Sequence, residues 1–379
     1  MSKLLKLAAL AGASTLVLAG CAANEAEVAP SATSTASSNN TTEETVVALE
    51  GTLDGSGASS MAAGQEAWVA AFQTANPGVT VNYNPTGSGT GRDQFEQGLT
   101  FFTGSDSSFK DEELATPHPN CSPADGPVFE FPVWISPIAV IFNLDGISTL
   151  NMGPDTIAKI FAGEITKWND PAIASANPGV TLPDLAITAV HRSDESGTTG
   201  NFTDWLAKAA PNSWVLNGEN VGSIEAWPAE FGGEGAQGTS GVVSAVQGGT
   251  GTIGYADASR AGSLGTVAVG VGNTFVPFSP EAAAKIVDVS EIKPGRPETT
   301  VAYSLARDTT EAGVYPVVLV SYLQGCMDYA DDAKAELVKA YASFLVSEEG
   351  QNVAAAAAGN APISQATREI AQAIIDQIK

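Results

Sequence analysis

Histidine is nearly absent from this 379-residue chain, His118 and His191 being the only two. Neither stands in a His/Asp/Cys cluster at metal-ligand spacing, and no Gly-x-Ser-x-Gly elbow occurs. The usual sequence signals of zinc chemistry and serine hydrolysis are therefore missing, and no metal or cofactor is expected. Basic residues are scarce as well: 17 Lys and Arg stand against 42 Asp and Glu, a formal charge of -25 at pH 7. Phosphate backbones reward basic stripes, and the lack of any argues against nucleic acid as a partner. There is no internal repeat, no Walker lysine after the glycine-rich GSGTG, and no multispan apolar region. Cysteine is limited to Cys21, Cys121 and Cys326.

The first twenty residues read as an address. MSKLLK is basic, LAALAGASTLVLAG is apolar, and Cys21 follows at once. The run is short for a membrane span, which takes about 20 apolar residues. Leu18-Ala19-Gly20-Cys21 resembles the bacterial lipobox, which implies cleavage before Cys21 and acylation of that residue. Residues 1–20 are thus expected to be a lipoprotein signal peptide, and the lipid on Cys21 to anchor the chain to the outer face of the cell membrane. Removing Lys3 and Lys6 with the signal leaves 15 basic against 42 acidic residues, or -27. Residues 21–45 are crowded with Ser, Thr, Asn and Ala and hold almost no large apolar side chain, so they cannot offset chain entropy by burial and are expected to be a disordered tether. Outside the cytoplasm Cys121 and Cys326 form an even pair and a candidate disulfide. Spacing alone does not show that they meet, and two separate buried thiols are the alternative.

The rest of the chain exceeds what one hydrophobic core usually serves, so two lobes are expected. TVVALEG (45–51) reads as a strand, TLDGSGASS as a turn, and MAAGQEAWVAAFQ as a helix with Met61, Trp68 and Phe72 on one face. VTVNYNP (79–85) alternates as a strand, enters TGSGTG, and is followed by a helical run around DQFEQG; LTFFTGSD (99–106) repeats the strand-to-turn step. The apolar FPVWISPIAVIFNL (131–144) reads as a strand able to cross between lobes. LAITAVHRSDESGTTG is a strand entering a turn, and Phe202, Trp205, Leu206 and Ala209 then mark a helix for which Ser196 or Thr198 is the N-cap. GTGTIGYAD (249–257) and YPVVLVSYL are further strands, and the end from Asp332 is helical with breaks at Gly350 and Pro362. Alternating β and α elements predict an α/β fold in which ligands gather at strand carboxyl ends.

That is where the Gly, Ser and Thr turns fall. A helix N-terminus offers unpaired N–H donors and the positive end of the peptide dipole, which a small oxyanion satisfies without any net protein charge. Ser59, Ser60, Ser88, Ser196, Gly197 and Thr198 are residues of this kind, and Arg192 adds a guanidinium fork. Dispersed surface carboxylates do not prevent this, because charges beyond a Debye length of about 8 Å are largely screened. Asp194, two residues from Arg192, fits an ion pair that orients the arginine. Asp106 follows Gly104-Ser105 at a strand end, where it is either an N-cap or an acceptor for a hydrogen bond that only a protonated oxyanion donates.

The order GSGASS, TGSGTGRDQF, TGSD and HRSDESGTTGNF, with FAGEITKWNDPAI between, resembles the phosphate-binding proteins that serve high-affinity phosphate ABC transporters. The resemblance runs from about residue 46 to the end. It implies a two-lobed periplasmic-binding-protein fold of type II, each lobe a mixed, mostly parallel sheet flanked by helices and joined by two crossing strands. Lobe I would be residues 46–132 and 302–379, and lobe II residues 133–301. It also implies a monomer with no enzymatic activity that binds inorganic phosphate and hands it to separate permease and ATPase subunits. The family's ligand positions fall on Ser59, Ser60, Ser88, Asp106, Arg192, Ser196, Gly197 and Thr198, with Asp194 holding the arginine. The family often has an aromatic residue where Ser60 stands, so that position is implied for its backbone N–H. Two other readings stay open: a secreted phosphatase-like enzyme, and a binding protein for sulfate, molybdate or another tetrahedral oxyanion.

Overall fold

The computed structural model describes residues 48–379. The signal peptide, Cys21 and the expected tether lie outside the described residues.

The chain opens with strand β1 (Gly51–Gly57), helix α1 (Ala62–Ala75), β2 (Val79–Asn84), α2 (Ser88–Glu96) and β3 (Phe102–Ser105). β1 lies between β2 and β3, parallel to both. A short helix α3 (Asp111–Leu114) and a loop lead to β4 (Val128–Phe142), buried along its whole length. A second run holds β5 (Thr149–Met152), α4 (Pro154–Phe161), α5 (Pro171–Ala176), β6 (Thr188–Arg192) and α6 (Gly197–Ala209). The small hairpin β7 (Val215–Leu216) and β8 (Glu219–Asn220) is followed by β9 (Glu234–Ala236), α7 (Gly238–Gly248), β10 (Thr252–Asp257), β11 (Gly265–Val271), β12 (Thr274–Val276) and α8 (Pro280–Asp288). The chain returns through β13 (Glu291–Ile292) and β14 (Tyr303–Ser304) to β15 (Val318–Cys326), and ends in α9 (Asp332–Val346), α10 (Glu348–Ala358) and α11 (Gln365–Ile375).

The strands lie in the order β2-β1-β3-β15-β4-β10-β6-β9, with β11 beside β4 carrying β5 and β12. Outer neighbours such as β1 and β2 or β6 and β10 are parallel, whereas β15 runs antiparallel to β3 and β4. This is the expected mixed α/β architecture, in which two long buried strands, β4 and β15, join two parallel-rich halves. β4 carries Pro132, which has no N–H to give to a ladder. The register slips there: Ser321 faces Trp134 but Tyr322 faces Pro132. Val133 is thus the extra residue of a bulge on β4, while the place of Ser321 on β15 follows directly from the pairing of Tyr322 with Ser105 at the end of β3.

Met61, Trp68 and Phe72 are all buried, as their spacing predicts. Trp68 packs edge-on against Trp134 of β4 and donates from Nε1 to the Gly350 carbonyl at 2.7 Å. Phe202, Trp205 and Leu206 on α6 are fully buried. Cys121 and Cys326 are joined in a disulfide with Cα atoms 5.3 Å apart, tying the loop after α3 to the end of β15.

Three element boundaries differ from the sequence reading. The first strand is GTLDGSG rather than TVVALEG. Its glycines suit it because Gly55 lies against the ring of Phe102 on β3, which fills the place a side chain would take. α2 begins at Ser88, inside the supposed turn, after Gly87 with φ 106°. At the end of the chain the break falls at Ser347, whose side chain accepts from the Gly350 N–H and caps α10, so Gly350 sits within the new helix.

Candidate functional site

Four chain segments converge between the two halves. The start of the α1 region supplies Ser59 and Ser60, α2 begins at Ser88, β3 ends at Asp106, and β6 ends at Arg192 before the α6 N-terminus at Ser196, Gly197 and Thr198. Glycine and small hydroxyl residues occur at these junctions because helix starts need donors satisfied and close approach allowed. Ser196 is the N-cap of α6, its Oγ accepting from the Thr199 N–H at 3.2 Å. All the side chains named here are buried or nearly so.

Asp106 is the hub. Ser60 Oγ lies 2.8 Å from both carboxylate oxygens, Thr198 Oγ1 donates to Oδ2 at 2.9 Å, and Ser321 Oγ donates to Oδ1 at 2.7 Å. The Asp106 N–H donates to Ser88 Oγ at 3.1 Å, which leaves the Ser88 hydroxyl hydrogen for another partner. Burial pushes the Asp106 carboxyl above its ordinary value, against the hydroxyl hydrogen bonds and the charge of Arg192. Gly197 must be glycine: a Cβ there would stand 2.6 Å from Ser88 Oγ and 2.7 Å from Asp106 Cβ.

Arg192 provides the positive charge. Its Nε donates to Asp194 Oδ1 at 2.7 Å and its Nη2 to Oδ2, a two-point pair that fixes the guanidinium plane. Asp194 also accepts from the Gly238 N–H at 3.0 Å. Burial raises the Asp194 carboxyl, but the hydrogen bond and charge of Arg192 outweigh it and hold the group below its usual value. Among the described residues Arg192 Nη1 has no hydrogen-bond partner, so that edge is available to a ligand. Glu195 is placed away from the centre, its side chain against Gly89 and its Oε1 3.2 Å from Lys110 Nζ.

The structure therefore brings Ser60, Ser88, Asp106, Gly197 and Thr198 into one cluster, with the Arg192–Asp194 pair across Gly87. Ser59 stands one step out, accepting from the Thr239 N–H at 3.0 Å at the start of α7. Among the described residues neither histidine is hydrogen-bonded to a serine. His191 stacks on Trp227 with ring centres 4.8 Å apart, and His118 packs against Phe95. Donors at helix starts, one fixed cation and an acceptor-only carboxylate suit a small tetrahedral anion that carries a proton of its own.

Residues 29–349 match the PBP superfamily domain. Phosphate-binding protein PstS 3 of Mycobacterium leprae is 36% identical over 310 residues, covering 79% of this chain and 80% of that protein. The chain belongs to the PstS phosphate-binding proteins of the PBP superfamily. Solved structures agree in fold. A high-affinity periplasmic phosphate-binding protein with phosphate bound superposes with a TM-score of 0.66 at 20% identity, over 85% of this chain and 93% of that one. A phosphate ABC transporter substrate-binding protein from Clostridium perfringens, also with bound phosphate, gives 0.57 at 21% identity, over 83% and 100%.

Several residues of this PstS-family site were not read from the sequence. Ser321 is the one serine in the apolar run VVLVSYLQ, a signal visible only as an oddity until the pairing of β15 with β3 sets it against Asp106. Thr239 and Gly238 belong to a GTSG turn of the same kind as the others. Tyr255 accepts from the Arg192 N–H at 3.3 Å and bonds Thr199 Oγ1 at 2.8 Å, bracing the β6–α6 turn from β10. Asn201 donates to the carbonyls of Asp106 and Gly197 at 2.7 and 2.9 Å, stitching β3 to α6.

Proposed function

We propose that this protein binds inorganic phosphate outside the cytoplasmic membrane and delivers it to an ABC permease for import, with no chemistry of its own. The observation that carries the reading is the buried Asp106 carboxylate set opposite Arg192 and the α2 and α6 N-termini. Phosphate near neutral pH keeps at least one P–OH, which donates to a carboxylate, while sulfate has none and would meet an unpaired negative group at contact. Leaving such a charge uncompensated costs several kcal/mol, roughly a thousandfold in affinity. The Ser60 hydroxyl is shared between both Asp106 oxygens and is the donor easiest to displace for a ligand proton.

The ligand set we assign is Ser59, Ser60, Ser88, Asp106, Arg192, Ser196, Gly197 and Thr198, with Asp194 orienting the arginine. Closure would bring lobe I (46–132 and 302–379) against lobe II (133–301). The names of the relatives and the phosphate in the solved neighbours support the ligand, and the acceptor at Asp106 favours it over sulfate or molybdate. No described helix is long and apolar enough to cross a membrane; attachment in this reading rests on acylated Cys21 and the 21–45 tether.

Calorimetric titration of the purified mature chain with phosphate and with sulfate tests the assignment. Strong preference for phosphate is expected, and equal affinities would sink it. Membrane fractionation that Cys21→Ala abolishes is the expected result for the anchor.

A further inference from the structure

A second set of charges spans the site without belonging to it. Arg92 lies one helical turn beyond Ser88 on α2, with its side chain 1% exposed. Its Nε donates to Glu113 Oε1 at 2.8 Å and its Nη1 to Ser105 Oγ at 2.9 Å, both groups on its own side of the site. Its Nη2 reaches across to Glu225 Oε2 at 2.6 Å, with Nη1 3.5 Å from Oε1. Lys110 Nζ, from the same side as Arg92, stands 3.6 Å from Glu225 Oε2 and 3.2 Å from Glu195 Oε1.

Glu225 is held firmly to the opposite side. Its carbonyl accepts from the Ser196 N–H at 3.1 Å, at the cap of α6. The neighbouring Ile224 exchanges hydrogen bonds with Thr203 Oγ1, and Ser223 Oγ donates to the Gly200 carbonyl at 2.9 Å. Arg92 is thus built into the β1–α2–β3 half and Glu225 into the α6 half, and the pair joins them. Burial raises the Glu225 carboxyl, but the charge and hydrogen bonds of Arg92 outweigh it and hold the group below its usual value.

We propose that the Arg92–Glu225 pair, with Lys110 beside it, is an interlobe latch that sets how long phosphate stays in the closed protein. The proposal rests on the phosphate-binding reading above. Two features make the pair releasable rather than merely structural. When the halves separate, Arg92 keeps Glu113 and Ser105, so its charge is never left without partners. Glu225 borders a cavity of about 590 Å³ lined also by Ser107, Lys110, Glu195 and Asn201, which gives water a path to the carboxylate as the cleft opens. Breaking a buried charged hydrogen-bond pair acts on dissociation more than on association, because encounter occurs in the open form before the pair exists. Bulk salt screens the pair weakly while it is buried, unlike the exposed Lys110–Glu195 contact.

The test is stopped-flow phosphate binding by the wild type and by Glu225→Gln, a near-isosteric change that removes the charge and leaves the backbone contacts. The expected result is an off-rate roughly tenfold faster with an on-rate nearly unchanged, which weakens affinity by about 1.4 kcal/mol. The preference for phosphate over sulfate and the ligand-free melting temperature should stay as in the wild type. Arg92→Lys, which keeps charge but loses the fork, should fall between the two. A wild type that binds phosphate and a Glu225→Gln variant with the same off-rate would overturn the latch alone. A variant whose ligand-free melting temperature and phosphate preference both collapse would overturn it in favour of a structural role. A wild type that binds no phosphate would overturn the parent reading and the latch with it.

Discussion

Ser321 donates a hydrogen bond of 2.7 Å to Asp106, although 215 positions separate them in the chain. The contact exists because β15 runs antiparallel beside β3 with Tyr322 opposite Ser105, which sets Ser321 against the residue that follows the end of that strand. One of the two strands that join the halves therefore touches the carboxylate that we assign to ligand selection. Lobe geometry and ligand chemistry meet at that hydroxyl.

Asp106→Asn should reduce the preference for phosphate over sulfate by tenfold or more. The amide cannot be acceptor-only, and it removes the negative charge that penalises sulfate. Paired calorimetric titrations check this. A preference ratio equal to that of the wild type would place selectivity elsewhere.

For Arg192→Ala a loss of roughly a hundredfold or more in phosphate affinity is expected, on the scale of about 3 kcal/mol for a charge-assisted contact. Circular dichroism should show the fold retained. Unchanged binding would move the pocket away from the β6–α6 turn.

Asp257 gives a pH prediction independent of ligand. It is fully buried, and burial raises its carboxyl from the ordinary 3.8 to about 6 against the hydrogen bonds it accepts, those from Ser259 among them. The folded chain therefore holds this proton more tightly than the unfolded chain. The resulting stability is fully present below about pH 4 and is lost as pH rises through about 6. A difference of that size corresponds to about 3 kcal/mol. The stability of Asp257→Asn relative to the wild type should accordingly rise by up to that amount between pH 4 and pH 8. Denaturant unfolding across this range measures it, and a flat difference would contradict the assignment.

Reducing the Cys121–Cys326 bond, or replacing both residues with serine, should lower stability by about 2–5 kcal/mol, as expected for a bridge closing a long loop. Ligand affinity should change little at room temperature, because neither sulfur lies among the site residues. Identical unfolding midpoints for the oxidised and reduced chains would count against this.

The separation between what could be read and what could not follows the range of the interactions. Arg192 and Asp194 are two residues apart, Ser196 caps the helix that it begins, and Phe202, Trp205 and Leu206 bury one helical face; each is a local relation that spacing expresses. The Gly-rich β1 escaped the same reasoning, since it is held by pairing with β2 and β3 on either side, and Phe102 of β3 fills the space at Gly55. The sequence by itself determined the donor turns, the lone arginine with its partner and the alternation of strands and helices, because backbone propensity and short-range pairing act within a few residues. Only tertiary structure decided that Cys121 meets Cys326, that Ser321 reaches Asp106 and that Arg92 grips Glu225. These pairs depend on strand order and register, which the packing of distant apolar faces sets and no local pattern encodes.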